Sequence, residues 1–156
     1  MHLWETAYIP SLLNNCQTWV EISEITVDKL EDLQNKFFRS ILSVLRSTPK
    51  ASLIWEMGGL KMKWRINQKK LIFMNQIIHL EETALARQIQ LIQDREGLPG
   101  LTSEVRKLVK ELELPNLFDH TIPPTMWKNM VKKAVNRSNE DEVKKVLVTY
   151  KKLKNK

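Results

Sequence analysis

From about Met62 to Leu80 the chain carries apolar residues on two sides of one helical stretch. Trp64, Leu71, Met74 and Ile78 fall on one side, and Ile66, Phe73 and Ile77 lie roughly opposite. A helix of this kind is packed between neighbours rather than laid on a surface. The sequence therefore needs other helices around this one. With only four glycines in 156 residues and no strand-type alternation, it predicts an all-α fold, a compact helical bundle of about six to eight helices.

The remaining elements follow from caps and breakers. His2 to Trp19 reads as helix with a break at Pro10. Thr26 is placed to cap a long helix running to about Arg46. Its apolar residues, Val27, Leu30, Leu33, Phe37, Phe38, Ile41, Leu42 and Leu45, share one broad face, with Lys29, Asp32, Lys36, Arg39 and Ser43 opposite. Thr48 with Pro49 opens a short helix, and Gly58-Gly59 closes it. Glu82 to about Arg95 continues as helix after the central one. Glu96-Gly-Leu-Pro-Gly100 is the strongest break. It separates a helical core at 1–96 from a basic helical part at 101–156, packed on the core or loosely attached. Beyond it Thr102 caps a helix, 115–124 is loop, and a helix at 125–137 buries Trp127, Met130, Val131 and Ala134. Ser138 with Asp141 resembles a capping box for a separate last helix, with Val143, Val146, Leu147, Tyr150 and Leu153 inward.

A single cysteine, Cys16, allows no internal disulfide and fits a reducing compartment, so the expected location is intracellular, nuclear or cytoplasmic. No signal peptide is visible. Leu71 to Leu80 is the most apolar stretch and far shorter than the ~20 residues of a membrane span. His2, His79 and His120 are far apart, so no metal site is expected, and no cofactor motif is present. The paired acids at Glu31-Asp32, Glu81-Glu82 and 140–142 sit at helix starts or on exposed faces, where a structural role outweighs a catalytic one.

Charge is the strongest functional signal. From Lys128 to Lys156 there are ten Lys or Arg against three acids, which accounts for the whole net charge of +7. Such asymmetry suits an anionic partner, although a solvated face reads the same way. Two groups stand out. Lys61, Lys63, Arg65, Lys69 and Lys70 lie within ten residues around Trp64, itself either a core residue or a stacking platform. Lys128, Lys132, Lys133, Arg137, Lys144, Lys145, Lys151 and Lys152 form the second. Lysine suits phosphate rather than base recognition, so binding would be backbone-directed and salt-dependent. A membrane surface ranks below nucleic acid, because the apolar faces look committed to a core.

Four blocks, in order, resemble non-LTR (LINE-type) retrotransposon reverse transcriptases just after the polymerase palm. Pro10-Ser-Leu-Leu13 to Trp19 resembles the helix that follows the palm. Leu30, Leu33, Gln34, Phe38, Arg39 and Leu42 resemble the next long helix. Ser47-Thr48-Pro49, Leu53, Glu56, Gly58, Leu60, Trp64, Arg65, Leu71 and Phe73 resemble the most specific block. Trp127-Lys128, Val131-Lys132 and Tyr150-Lys151-Lys152-Leu153 resemble a stretch further downstream. The likeness covers nearly the whole chain and implies a helical thumb and connector, which grip a template–primer duplex by its backbone. It implies nucleic-acid contacts at Lys36, Arg39, Lys61, Lys63, Arg65, Lys69 and Lys70; the charge pattern, not the likeness, adds the tail lysines Lys128, Lys132, Lys133, Lys145 and Lys152. Arg65 is equally a candidate structural ion-pair partner, for instance of Glu56.

The sequence departs from the family where chemistry is concerned. The Ala-Asp-Asp hairpin that holds the polymerase metals is missing, as are the fingers, the endonuclease and the Cys/His knuckle, and Lys61-Met62 replaces the usual Leu-Pro. Phosphoryl transfer needs metals held by carboxylates, so no enzymatic activity is expected. The likeness implies an RNA–DNA hybrid or duplex as partner, with a homo-oligomer or a separate polymerase as further possibilities. The alternative is a protein-interaction or dimerisation domain using the surface that would face a palm, with Trp4, Leu12 and Leu13 as its candidates.

Overall fold

The two-sided helix is the centre of the fold. The computed structural model describes residues 3–118 and 122–154, with side chains as far as residue 150. A π-helical turn, Trp4–Tyr8, runs into α1 (Ile9–Leu12), and a 3-10 turn at Cys16–Thr18 precedes α2 (Glu24–Leu42). Then come α3 (Lys50–Met57), α4 (Met62–Ile78), α5 (Leu85–Glu96), α6 (Leu101–Glu111) and α7 (Pro124–Lys154). Among the described residues there are seven α-helices and no strand, an all-α bundle. His2 and His120 lie outside the described residues.

Helix α4 touches α2, α5, α6, α7 and the Cys16 turn. Its two apolar sides feed two cores. Met62 and Ile66 join Trp4, Leu13, Phe38, Leu53 and Ile54. Trp64, Leu71, Met74 and Ile78 join Val105, Leu108, Leu117, Trp127 and Val131. Helix α7 closes both, because Trp127, Val131 and Val135 enter the second core while Val143 enters the first.

That double engagement explains the largest difference from the sequence reading. No break falls at Ser138; residues 124–154 are one helix. Trp127, Val131, Val135, Asn139 and Val143 are all buried, and Leu147 packs against them. These are successive fourth residues. A row at i±4n winds slowly around a helix instead of following its axis, so the buried face of the first half differs from that of the second. Read separately, the halves look like two helices.

Asn139 anchors the middle of this row. Its Oδ1 accepts the Lys61 backbone N–H at 3.0 Å, and its Nδ2 donates to the Gly59 carbonyl at 3.1 Å. A side chain on α7 thus satisfies backbone groups of the α3–α4 turn. Gly58 closes α3 at φ 58, the left-handed region that favours glycine. At Gly59 an added Cβ would approach the Phe38 ring to 3.2 Å. Asn139→Ala is expected to lower stability by about 2 kcal/mol, because a buried N–H and a buried carbonyl lose partners together; urea unfolding measures this.

Other boundaries shift by a few residues. Ser23 rather than Thr26 caps α2, its Oγ accepting the Thr26 N–H at 3.2 Å. The helix stops at Leu42, where Ser43 turns left-handed at φ 51, short of the expected Arg46. Pro49 occupies the cap position of α3 itself. Pro10 does not end the helix; it sits at the second position of α1, directly after the π-helical turn, so the helix changes type beside it and continues. A turn at 79–84 separates α4 from α5. Gly100, not Thr102, precedes α6, and the Ser103 hydroxyl accepts the Gly100 N–H at 3.1 Å. The buried side of α2 is narrower than its apolar pattern: Gln34, Asn35 and Phe38 are buried while Leu33, Ile41 and Leu45 are exposed. Gln34 is held inside by donating to the Leu60 carbonyl at 2.8 Å.

Candidate nucleic-acid interface

The cations of α4 are largely turned into the protein. The Arg65 guanidinium is buried and donates to both Glu5 carboxylate oxygens at 2.9 and 2.6 Å, and to the Leu60 carbonyl at 3.2 Å. Its partner is Glu5 and not Glu56, which is exposed. Lys70 is buried against Glu104 at 2.5 Å. Lys69 donates to the Leu13 carbonyl at 3.0 Å, and Lys61 pairs with Glu142 at 2.9 Å. Lys63 alone of the five is exposed, with Glu142 at 3.9 Å. Its ammonium lies 4.9 Å from the centre of the Trp64 ring. Trp64 is itself core. A duplex backbone would reach Arg65 or Lys70 only by breaking a buried ion pair, which strands the carboxylate.

Beside α4 lies a cleft of about 480 Å³ in whose walls acids outnumber cations. Glu21, Glu24, Asp28, Glu31, Glu104 and Glu142 contribute six carboxylates against Lys61, Lys63, Lys70 and Lys107. That balance disfavours phosphate. Burial pushes the Glu31 carboxyl up from its ordinary 4.5, and the nearby Lys61 charge opposes the shift only in part. An acid held above its unfolded value loses stability as pH rises through the folded value. Glu31→Gln is therefore expected to raise Tm at pH 7 and to leave it unchanged below about pH 4. Thermal melts at the two pH values check this. Asp32 behaves oppositely: the Lys50 hydrogen bond holds it below the usual range.

Two other surfaces carry accessible cations. At the end of α2, Lys36 and Arg46 are exposed and Arg39 is half-buried, its Nη2 donating to the Thr48 carbonyl at 3.0 Å. With Ser40 and Val44 these three line a shallow hollow that has no carboxylate in its wall. Arg46 completes it, although the sequence reading placed that residue only at a helix end. On α7, Lys128, Lys132, Lys133, Arg137, Lys144 and Lys145 are all exposed. Among the described residues, Lys144 is the one of these that forms an ion pair, with Glu140 at 3.4 Å, and its ammonium sits 5.7 Å from the exposed Trp55 ring. Lys133, Arg137 and Lys144 recur at spacings of four and seven and so fall on one side. The side chains of Lys151 and Lys152 lie outside the described residues.

The residues considered for an interaction surface are not on the surface. Trp4 and Leu13 are fully buried, Leu12 packs against the same core, and Trp4 stacks on Phe37 at 4.5 Å. The Cys16 thiol is also buried, which pushes its pKa up. Among the described residues no His, Cys, Asp or Glu group is placed to hold a metal ion, and no helix is long and apolar enough to cross a membrane. No protein-family model matches the chain, and neither a curated protein nor a solved structure does.

Proposed function

We propose that this chain binds the sugar–phosphate backbone of duplex nucleic acid, an RNA–DNA hybrid or DNA, along α7, and does no chemistry of its own. One observation carries the reading: six cations stand exposed on α7, five of them without an ion pair among the described residues. From Lys128 to Lys145 the helix spans about 26 Å at 1.5 Å per residue. That is on the order of seven to eight base pairs of duplex. Lysine at helical spacing gives point charges suited to phosphates and carries no base code. The carboxylate-free hollow at Lys36, Arg39 and Arg46 supplies a second anionic contact. The likeness to the thumb and connector of LINE-type reverse transcriptases supports the same partner class and an intracellular setting. The contacts assigned to α4 by that likeness move to α7, because Lys61, Arg65, Lys69 and Lys70 already have partners inside the protein.

Lysine acetylation footprinting tests the assignment. Added hybrid duplex at low salt is expected to slow modification of Lys128, Lys132 and Lys133, with Lys63 unaffected. Protection at Lys63 with α7 unchanged would overturn it.

A further inference from the structure

Of the five tryptophans, Trp4, Trp64 and Trp127 are buried and Trp19 is half-buried, whereas Trp55 on α3 is 46% exposed. Its neighbours Leu53 and Ile54 are buried, so α3 docks with this indole left at the edge. Single apolar residues on a surface are ordinary; the surroundings of this one are not. The ring lines a cleft of about 320 Å³ between the α3–α4 turn and α7. Gly58 and Gly59 in its wall carry no side chain, and a Cβ added at Gly58 would meet nothing within 4 Å, so the space beside the indole is open. The facing wall includes Asn136 and Glu140 of α7. Lys133, Asn136, Arg137, Glu140 and Lys144 recur at helical spacing and share one side of that helix. The cleft therefore opens onto the cation row. The Lys144 ammonium stands over the ring, 5.7 Å from its centre, so the ring offers a face to a mobile cation and not to packed side chains.

We infer that this cleft takes one unpaired nucleobase, stacked on the Trp55 ring, from a strand whose backbone lies on Lys133, Arg137 and Lys144. The inference rests on the α7 reading and narrows its ligand. Inside a continuous duplex every base is paired and stacked, and extracting one is costly. None is free to reach an indole beside the backbone track. A base becomes free where duplex gives way to single strand. The preferred partner is therefore a junction, a hybrid or DNA duplex with an unpaired extension. Charge agrees with this placement. Glu140 is the one carboxylate in the cleft wall, and it pairs with Lys144 at 3.4 Å. That pair is exposed and weak, so Lys144 can leave both ring and carboxylate for a phosphate. Glu140 then accepts an N–H from the base edge, while the exposed Asn136 amide can donate or accept. Every base has a π-face and an N–H on its pairing edge, so the site reads the unpaired state and not the sequence.

Fluorescence anisotropy tests this by comparing a blunt RNA–DNA hybrid with the same hybrid carrying a short unpaired extension of either polarity, at about 50 and about 200 mM salt. The extended hybrid is expected to bind about tenfold tighter. The ratio of the two affinities should hardly change with salt, because stacking releases no counterions. An extension of abasic residues keeps the phosphates and removes the rings, and should bind like the blunt hybrid. Trp55→Ala should bring the extended hybrid down to the blunt value. Trp55→Phe keeps a ring in the same space and should retain most of the preference, which separates loss of stacking from loss of folding. If neither hybrid binds, the α7 reading falls and this inference with it. Equal affinity for blunt and extended hybrids leaves the α7 reading standing and overturns the unpaired-base site. A preference that survives the abasic extension or Trp55→Ala belongs to phosphates or to another surface, and overturns the site too.

Discussion

Trp127→Ala is expected to lower the stability of the fold by about 4 kcal/mol, the range for removing a large aromatic side chain from a packed core. Trp127 is fully buried and enters the core formed by α4, α6 and α7. Its indole N–H donates to the Leu71 carbonyl at 3.0 Å, tying α7 to the middle of α4. The substitution removes both the ring and this bond, and a cavity remains because α4 and α7 are held apart by Val131, Val135 and Leu71. Trp127→Phe separates the contributions. It keeps most of the volume and loses the hydrogen bond, so about 1–2 kcal/mol is expected. Urea unfolding followed by circular dichroism measures both. A cost below about 1 kcal/mol for Trp127→Ala would mean that α7 is not docked as described.

The second large effect is at Glu104. Its carboxylate pairs with the buried Lys70 at 2.5 Å and accepts the Glu21 backbone N–H at 2.5 Å. Glu104→Ala strands a buried ammonium, which costs about 3 kcal/mol or more. Replacing the pair together, with Lys70→Met and Glu104→Gln, leaves no unpaired charge and should recover most of that loss. A double-mutant cycle in thermal or urea unfolding gives the coupling. The outcome bears on function, because a Lys70 coupled this strongly to Glu104 is part of the fold and not a phosphate contact. If Glu104→Ala were nearly neutral, Lys70 would be mobile enough to reach a ligand.

Much of the architecture is legible in the residues themselves. The two-sided pattern of α4 places it at the centre, and the glycine breaks at Gly58 and Gly97–Gly100 fall where the chain turns. What local reasoning misses is set by distant partners. Arg65 pairs with Glu5, sixty residues earlier, and no spacing rule connects them. The continuity of α7 was readable in principle from the four-residue recurrence of Trp127, Val131, Val135, Asn139, Val143 and Leu147. The polar Asn139 in mid-row obscures it, because its partners belong to the α3–α4 turn. For α5 the sequence reading gives a helix and assigns it no face; the contacts to Asp94 and Gln93 tell which side faces in.

The candidate site follows the same logic. Clustering in sequence made α4 look like the basic surface, yet successive positions of a central helix face different neighbours, so each cation finds its own internal partner. The cations of α7 were equally visible, and they remain exposed because that helix contacts the bundle along one narrow row. Composition locates the charge in the tail; only packing distinguishes charge that faces solvent from charge that holds helices together.

The most direct test of the central claim is fluorescence anisotropy with a labelled RNA–DNA hybrid at 50 and 200 mM salt. Three proteins are compared: the unmodified chain, a variant with Lys128, Lys132, Lys133 and Arg137 changed to Gln, and a variant with Lys61 and Lys63 changed to Gln. Each is first shown to be folded by circular dichroism. The account predicts binding by the unmodified chain that weakens about 10³-fold over this salt range, as expected for roughly six phosphate contacts. It predicts near-complete loss in the α7 variant and little change in the α4 variant. Loss in the α4 variant with α7 dispensable, or no binding by the unmodified chain at 50 mM salt, would contradict it.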